Sequence, residues 1–391
     1  MSARAFGEGL GTGADPVAAA ADAFGQATRD LGGPPDLVVA FVSCGPSGNP
    51  DAAAAAVSEG ARRTGAGTVV ATSAHGVIGA GRGLEQTSAV AVFAARLPGV
   101  SLRPFRLTAQ VGPQSEGVQV GGTPVGPLIE GAEAAIVFVD PFSFPVRGYV
   151  EAADRLLPGI PLMGGLASGA DSPGGNRLVL DGEIHDDGGV GVLLGAGAGV
   201  RTVVSQGCRP IGPPMIVTAA EANHLRELAG RSAYAKLGEI VSALPPEEQQ
   251  QATRGLHLGI AIDEYADEHG RGDFLIRTLL GIDPEAGAVA VGEIVEVGRT
   301  VQFQVRDAAG AGEDLAALLG DLAAPVSGAL LFSCNGRGTT MFPDASHDVR
   351  VLRETLGEIP AAGFFAAGEI GPVGGRNHLH GFTASVLTFG P

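Results

Sequence analysis

The sequence predicts a mixed α/β (α+β) fold of two domains. Repeated strand–helix–strand–strand units would form mixed β-sheets flanked by helices. Three observations predict it. One ordered pattern of apolar runs, a helix-like stretch and glycines occurs three times along the chain. Apolar runs of five to eight residues alternate with helix-like stretches, the signature of sheets covered by helices. The chain has 391 residues, 45% of them hydrophobic, ample for two or three cores.

Residues 1–35 are expected to form a lead-in and a helix. The glycine run GEGLGTG (Gly7 to Gly13) precedes that helix but follows no strand, so it fails the context test for a dinucleotide fingerprint. The first repeat opens with LVVAFVSCGPSG (Leu37 to Gly48). Pro50 then sits at a plausible first helical turn, ahead of DAAAAAVSEGARR. TVVATSAHGVIG (Thr68 to Gly79) and the alternating SAVAVFAA (Ser88 to Ala95) close the unit. The second repeat runs AAIVFVDPFSF (Ala134 to Phe144), helix-like VRGYVEAADRLL, PLMGGLASGA (Pro161 to Ala170) and GGVGVLL (Gly188 to Leu194). Arg201 to Leu322 intervenes. It carries strand-like runs, helical candidates at Ala219 to Ala229, Ser232 to Ala243 and Glu313 to Leu319, and a polar surface segment, Pro245 to Arg254. The third repeat reads GALLFSCNGRG (Gly328 to Gly338), ASHDVRVLRETLG, PAAGFFAAGEIGP (Pro360 to Pro372) and TASVLTF (Thr383 to Phe389). With Cys44, Pro141 and Cys334 aligned, the later glycines Gly76, Gly169 and Gly368 fall at similar distances. Each unit thus reads strand, helix, strand, glycine loop, strand. A Pro/Gly cluster, GCRPIGPP, places the domain boundary near 215, giving 36–215 with two repeats and 216–391 with the insertion and the third.

Composition narrows the function. Gly 63 and Pro 26 make about 23% of the chain without a G-X-Y period, which excludes collagen, and the apolar content argues against disorder. A net charge of -17 argues against a nucleic-acid binder, and the absence of Trp argues against base-stacking platforms. Three cysteines (Cys44, Cys208, Cys334) with no C-x-x-C fit a reduced cytoplasmic protein better than a disulfide scaffold. Neither a secretory signal nor a membrane span is expected. GAGRG (Gly79 to Gly83) lacks a Walker lysine, and RGD (Arg271 to Asp273) reads as coincidence.

The stretch FSCNGRGTTMF…GFFAAGEIGPVGGRNHLHGFT (Phe332 to Thr383) resembles the C domain of the FIST (F-box and intracellular signal transduction) family. The two preceding repeats resemble the FIST N domain, so the likeness spans the chain from about Asp36. The resemblance implies a sensory module that binds a small ligand, an amino acid or related metabolite, and signals through a partner, since no transmitter domain remains. It also implies, more distantly, a haem-dependent nitric-oxide sensor.

Strand ends followed by glycine are where ligands meet twisted sheets, because glycine lets backbone N–H groups approach. The candidates are Ser43, Cys44, Asp140, Ser333, Cys334 and Asn335 at first-strand ends. Ser73, His75, Gly76, Ser168, Gly368 and Glu369 lie at or beside second-strand ends. Their bland alternative is tight turns and close packing. Arg337, between Gly336 and Gly338, either clamps a ligand carboxylate or pairs internally with Glu369. Asn377 joins the set through the family pattern. A thiol nucleophile at Cys334 or Cys44 would need a neighbour such as His75 or Arg337. His378 and His380 form an H-x-H without evident further metal ligands, and no C-x-x-C-H exists for haem. The expectation is a non-enzymatic cytoplasmic protein binding an amino-acid-like metabolite in a glycine-lined inter-domain cleft, with no cofactor, nucleic acid or membrane. A haem sensor, a cysteine-dependent enzyme and an interaction scaffold are the alternatives.

Overall fold

The computed structural model describes residues 4–46, 48–111, 117–266, 269 and 272–391; Arg271 of the RGD tripeptide lies outside them. The chain forms a mixed α/β structure of two compact units, residues 1–204 with 315–391, and residues 205–314. This partition by packing is distinct from the repeat-based division at 215, and it gathers all three repeats into the first unit.

The lead-in is itself a strand, β1 (Ala5–Thr12), followed by α1 (Pro16–Thr28). Its glycines mark a strand because they recur with period two. A Cβ on Gly7, Gly9 or Gly11 would lie 2.0, 1.9 and 1.9 Å from the carbonyl oxygens of Ala27, Ala23 and Ala19. Glycine every second residue therefore meets alanine every fourth, and α1 lies backbone-close on β1.

The first repeat comprises β2 (Leu37–Cys44), α2 (Pro50–Thr64), β3 (Thr68–Ser73), the hairpin β4 (Gly76–Gly79) and β5 (Arg82–Glu85), and β6 (Ser88–Arg96). After β7 (Leu102–Val111) and β8 (Val118–Gly121) the second follows: β9 (Ala132–Val139), α3 (Val146–Leu156), β10 (Leu162–Leu166), the hairpin β11 (Leu178–Leu180) and β12 (Glu183–His185), and β13 (Gly189–Gly195). Next comes β14 (Val200–Ser205). The second unit contains β15 (Cys208–Pro210), β16 (Met215–Glu221), β17 (His224–Leu228), β18 (Arg231–Ser232), α4 (Ala233–Ser242), α5 (Pro246–Arg254), β19 (Leu256–Ala261), β20 (Phe274–Asp283), β21 (Ala288–Val291) and β22 (Thr300–Arg306). After α6 (Ala308–Gly320) the third repeat holds β23 (Gly328–Cys334), α7 (Gly338–Met341), α8 (His347–Leu356), β24 (Ala361–Ala366), the hairpin β25 (Glu369–Val373) and β26 (Arg376–His380), and β27 (Ala384–Phe389).

What the sequence presents as a glycine loop is in each repeat a β-hairpin, and each hairpin is donated to another repeat. The hairpin β4–β5 extends β24 of the third repeat, β11–β12 extends β3 of the first, and β25–β26 extends β10 of the second. The exchange closes in a ring, so the three sheets are mutually bound around a pseudo-threefold centre. Their inner faces share one core, where Phe41, Phe138, Phe332 and Phe364 meet with ring centroids 5.2–6.3 Å apart. Helices cover the outer faces: α1 and α2 on the first sheet, α3 on the second, α8 and the end of α6 on the third.

Inside–outside alternation corrects the repeat alignment. Phe41, Phe138 and Phe332 all face the central core, and side chains two apart share a face. Cys334 therefore corresponds to Ser43 and Asp140, while Cys44 corresponds to Pro141 and Asn335. A one-residue slip moves a side chain to the other face, so the two thiols are not counterparts. Cys44 packs towards the helices and Cys334 lies on the central side.

In the second unit, β16, β17, β21, β20, β19 and β22 pair in turn, and β22 returns to β16, giving a closed antiparallel ring with an apolar interior. Ala219 to Ala229, expected as a helix from its alanines and glutamates, is instead the β16–β17 hairpin. Ala222 turns with φ +51 beside Asn223, and cross-strand pairing overrides helix propensity. The helix expected over Ser232 to Ala243 is α4, capped by Ser232, and Pro245 to Arg254 is helical from Pro246. No described helix is long and apolar enough to cross a membrane.

Candidate functional site

The carboxyl ends of β2, β9 and β23 and the crossovers after β3, β10 and β24 converge at one end of the central core. Ser168 ties the three repeats there: its Oγ accepts the His75 N–H at 2.9 Å and donates to the Phe365 carbonyl. Ser43 donates to the His75 carbonyl. Ser73 donates to Asn176, whose side-chain amide donates to the buried Asp140. Asp140 also accepts from Ser143 and Phe142. These groups satisfy one another, as a structural network does.

Two buried polar clusters flank the end of β23. On the helix side, Arg337 is fully buried and its Nε and Nη2 donate to Asp348 on α8, both at 2.8 Å. Asp348 also accepts from Ser333 at 2.7 Å and contacts His347 Nδ1 at 3.1 Å. Burial alone would raise the Asp348 carboxyl, but the Arg337 charge and these hydrogen bonds hold it well below the usual carboxylate range. Phe342 lies 5.3 Å from the guanidinium and stacks on His347. Arg337 is thus internally paired, with Asp348 rather than Glu369, and presents no fork to a ligand.

On the central side stand Cys334, Glu369, Thr383 and Ser385, all buried. Glu369 Oε2 accepts from the Thr383 N–H at 3.1 Å and from Thr383 Oγ1 at 2.8 Å. Besides the weak S–H donor of Cys334 beside the carboxyl, Oε1 has no hydrogen-bond partner among the described residues, and neither has Ser385 Oγ. Burial pushes the Glu369 carboxyl up to about 8. Burial, and then the neighbouring Glu369, pushes the Cys334 thiol far above its ordinary value. A thiol so placed is the opposite of an activated nucleophile. Cys44 is also raised by burial, and the recess beside it has a volume of about 30 Å³, too small for a metabolite.

The repeats act as an internal control. Strand register makes Glu369 the counterpart of Val77 and Leu178, both fully buried in the central core. Ser385 corresponds to Ala91 and Val190, and Thr383 to Ala89 and Gly188. Where two repeats place apolar or small residues, the third places a carboxyl and two hydroxyls. Phe382 covers them. It is half-buried at φ +63, a backbone state that bulky residues avoid, and its ring packs so closely on Gly336 that a Cβ there would lie 2.4 Å away. Its carbonyl faces Arg337 Nη1 at 3.4 Å, linking the two clusters.

The remaining candidates have structural places. Gly338 leaves room for Glu85, whose carboxylate accepts from Thr339 N–H and Oγ1; a Cβ on Gly76 would meet the Leu84 carbonyl at 2.5 Å. Gly368 is buried at the start of the third hairpin, and Asn335 is exposed. Asn377 lies apart from the others: its amide staples β26 to Leu162 and Ile160. His380 Nε2 contacts the Gly371 carbonyl at 3.0 Å, and no group of three or more metal-ligating residues gathers among the described residues. Sequence reasoning missed Asp348, Thr383, Phe382 and Ser385. The period-two polarity of Thr383 and Ser385, in a strand whose counterparts are apolar, was a signal that finds two of them.

Residues 36–231 match the FIST N domain and residues 233–372 the FIST C domain. An uncharacterized protein of Mycobacterium tuberculosis is 42% identical over 98% of this chain and 99% of its own length. One of Mycobacterium bovis is 42% identical over 98% of each. With both domains matched across most of its length, the chain belongs to the FIST family, whose domains are sensory modules of signal transduction.

Proposed function

We propose that this protein is a non-enzymatic sensor that binds a small amine-bearing metabolite, of amino-acid type, at the Glu369–Ser385 cluster and reports its occupancy to a partner protein. The observation that carries this reading is the pair of unpartnered buried polar atoms, Glu369 Oε1 and Ser385 Oγ, at positions where the other repeats are apolar. Each unsatisfied buried group costs about 1–3 kcal/mol, and polar groups kept at such a cost mark functional sites. A ligand ammonium would pair with the carboxylate, and a ligand acceptor would take the Ser385 hydroxyl. Entry would require Phe382 to lift from Gly336, and the strained φ of Phe382 makes that movement the natural signal.

A thermal-shift screen against free amino acids, small amines and organic acids tests the reading. A ligand at 100 times its Kd adds about 2.7 kcal/mol, an upward shift of about 5 °C for a unit of this size. The shift should vanish in Glu369→Gln. Because Glu369 must ionise to receive an ammonium, binding at pH 7 should release about one proton, read as a calorimetric enthalpy that varies with the buffer. A ligand that shifts the wild type and Glu369→Gln equally, or no shift with any amine, overturns the assignment.

A further inference from the structure

The second unit carries a cavity of about 350 Å³, within the range of small-molecule sites, between α4 and the 212–215 segment. One face of α4 and the turn after it form its wall. Lys236, Glu239, Ile240 and Leu244 recur at helical spacing, and Met215 and Pro213 lie opposite. The polarity runs lengthwise. Lys236 and Glu239 stand at one end, the apolar Ile240 follows along the helix, and Leu244 lies in the turn after it. Gly212, at φ +66, is held by Gln302, whose amide donates to its carbonyl at 2.7 Å. A Cβ on Gly212 would lie 2.9 Å from the Ile240 side chain, so glycine keeps that wall in place.

The carboxylate at the polar end is shared. Glu239 is shared between Arg231, at 3.0 Å, and Lys236, at 3.5 Å, so two cations meet one carboxylate. Lys236 is the one cation of the lining and the sole lysine of a chain of net charge -17. Three donors on the ammonium exceed what one carboxylate contact at 3.5 Å uses.

We infer that this cavity is a second binding site, independent of the Glu369 cluster, for a compact apolar monocarboxylate. Its carboxylate would meet Lys236 and its hydrocarbon would lie along Ile240, Leu244 and Met215. A medium-length hydrocarbon chain matches the apolar part of this lining. A polyanion such as a nucleotide finds neither enough cations nor polar lining.

The sole lysine makes the test direct. Reductive ¹³C-methylation labels Lys236 and the α-amino group alone and retains their charge. Titration with octanoate should move the Lys236 resonance saturably, while 1-octanol should bind at least tenfold more weakly. In calorimetry, Lys236→Gln should lose at least tenfold in octanoate affinity. Ala243→Phe, which fills the cavity from the exposed C-cap of α4, should abolish binding with the circular dichroism unchanged. Glu369→Gln should leave octanoate binding intact, separating this site from the first. No saturable shift at millimolar octanoate, equal affinity for 1-octanol, or undiminished binding in Ala243→Phe overturns the inference.

Discussion

Glu369→Gln should stabilise the protein, and by an amount that depends on pH. The substitution keeps an oxygen to accept from Thr383 and replaces the titrating oxygen with an amide nitrogen that does not titrate. In the fold the carboxyl is pushed up to about 8 by burial, against 4.5 for the free group. A raised acid favours the fold while both states are protonated, below about pH 4.5. That stability is lost as pH rises through the window to about 8, because the unfolded chain releases its proton first. At pH 7 the penalty is about 3 kcal/mol, and above pH 9 it approaches about 5 kcal/mol. Glutamine carries none of it. Thermal midpoints of wild type and variant, measured by circular dichroism from pH 4 to 9, should therefore coincide near pH 4 and diverge upward. Arg337 and Cys334 also face the carboxyl, but Arg337 stays charged throughout and the thiol stays protonated, so the divergence belongs to Glu369. Parallel curves across that range, or a variant less stable at pH 8, would refute the reasoning.

Three further outcomes follow from the same geometry. Asp348→Asn leaves the fully buried Arg337 without its counter-charge and should cost about 3–5 kcal/mol in denaturant unfolding; a cost under 1 kcal/mol would show that Arg337 is not held by this pair. Gly9→Ala drives a Cβ to 1.9 Å from the Ala23 carbonyl and should lower the thermal midpoint by several degrees. Gly25→Ala, in the same helix with nothing within 4 Å, should instead stabilise by about 0.5–1 kcal/mol, and equal effects would dissolve the β1–α1 argument. Phe382→Ala removes the ring packed on Gly336 beside Cys334 and should accelerate alkylation of Cys334 at least tenfold in a Cys44→Ser, Cys208→Ser background; an unchanged rate would show that the ring does not shield the thiol.

Much of the first unit was legible because buried strands announce themselves. Leu37–Cys44, Ala132–Val139 and Gly328–Cys334 are almost wholly apolar, and Asn49, Ser232 and the prolines of the first helical turns mark where helices begin. The hairpins were not legible. In TVVATSAHGVIG the stretch stays free of Asp, Glu, Lys and Arg while the chain leaves one sheet for another between Ser73 and Gly76, and a crossing that preserves burial leaves little mark in hydropathy. The partner of Arg337 was hidden for a similar reason. Asp348 sits at the start of an amphipathic helix, where an acid reads as a favourable first-turn charge, and only the packing of α8 on the third sheet turns it inward.

The candidate site became visible when the fold supplied the correct alignment of the repeats. Paired on their cysteines, the first and third repeats suggest twin thiols, and Glu369 looks like one more residue in a glycine loop. Paired on the phenylalanines that share the central core, the thiols separate and Glu369 falls on Val77 and Leu178. Three repeats that exchange hairpins must satisfy the same packing demands at each equivalent position, so a core position filled by valine and leucine twice is one where stability favours an apolar side chain. A carboxyl there, with one oxygen unpartnered, works against the fold that contains it. Selection for stability alone would not keep it, whereas selection for a ligand that completes its hydrogen bonds would.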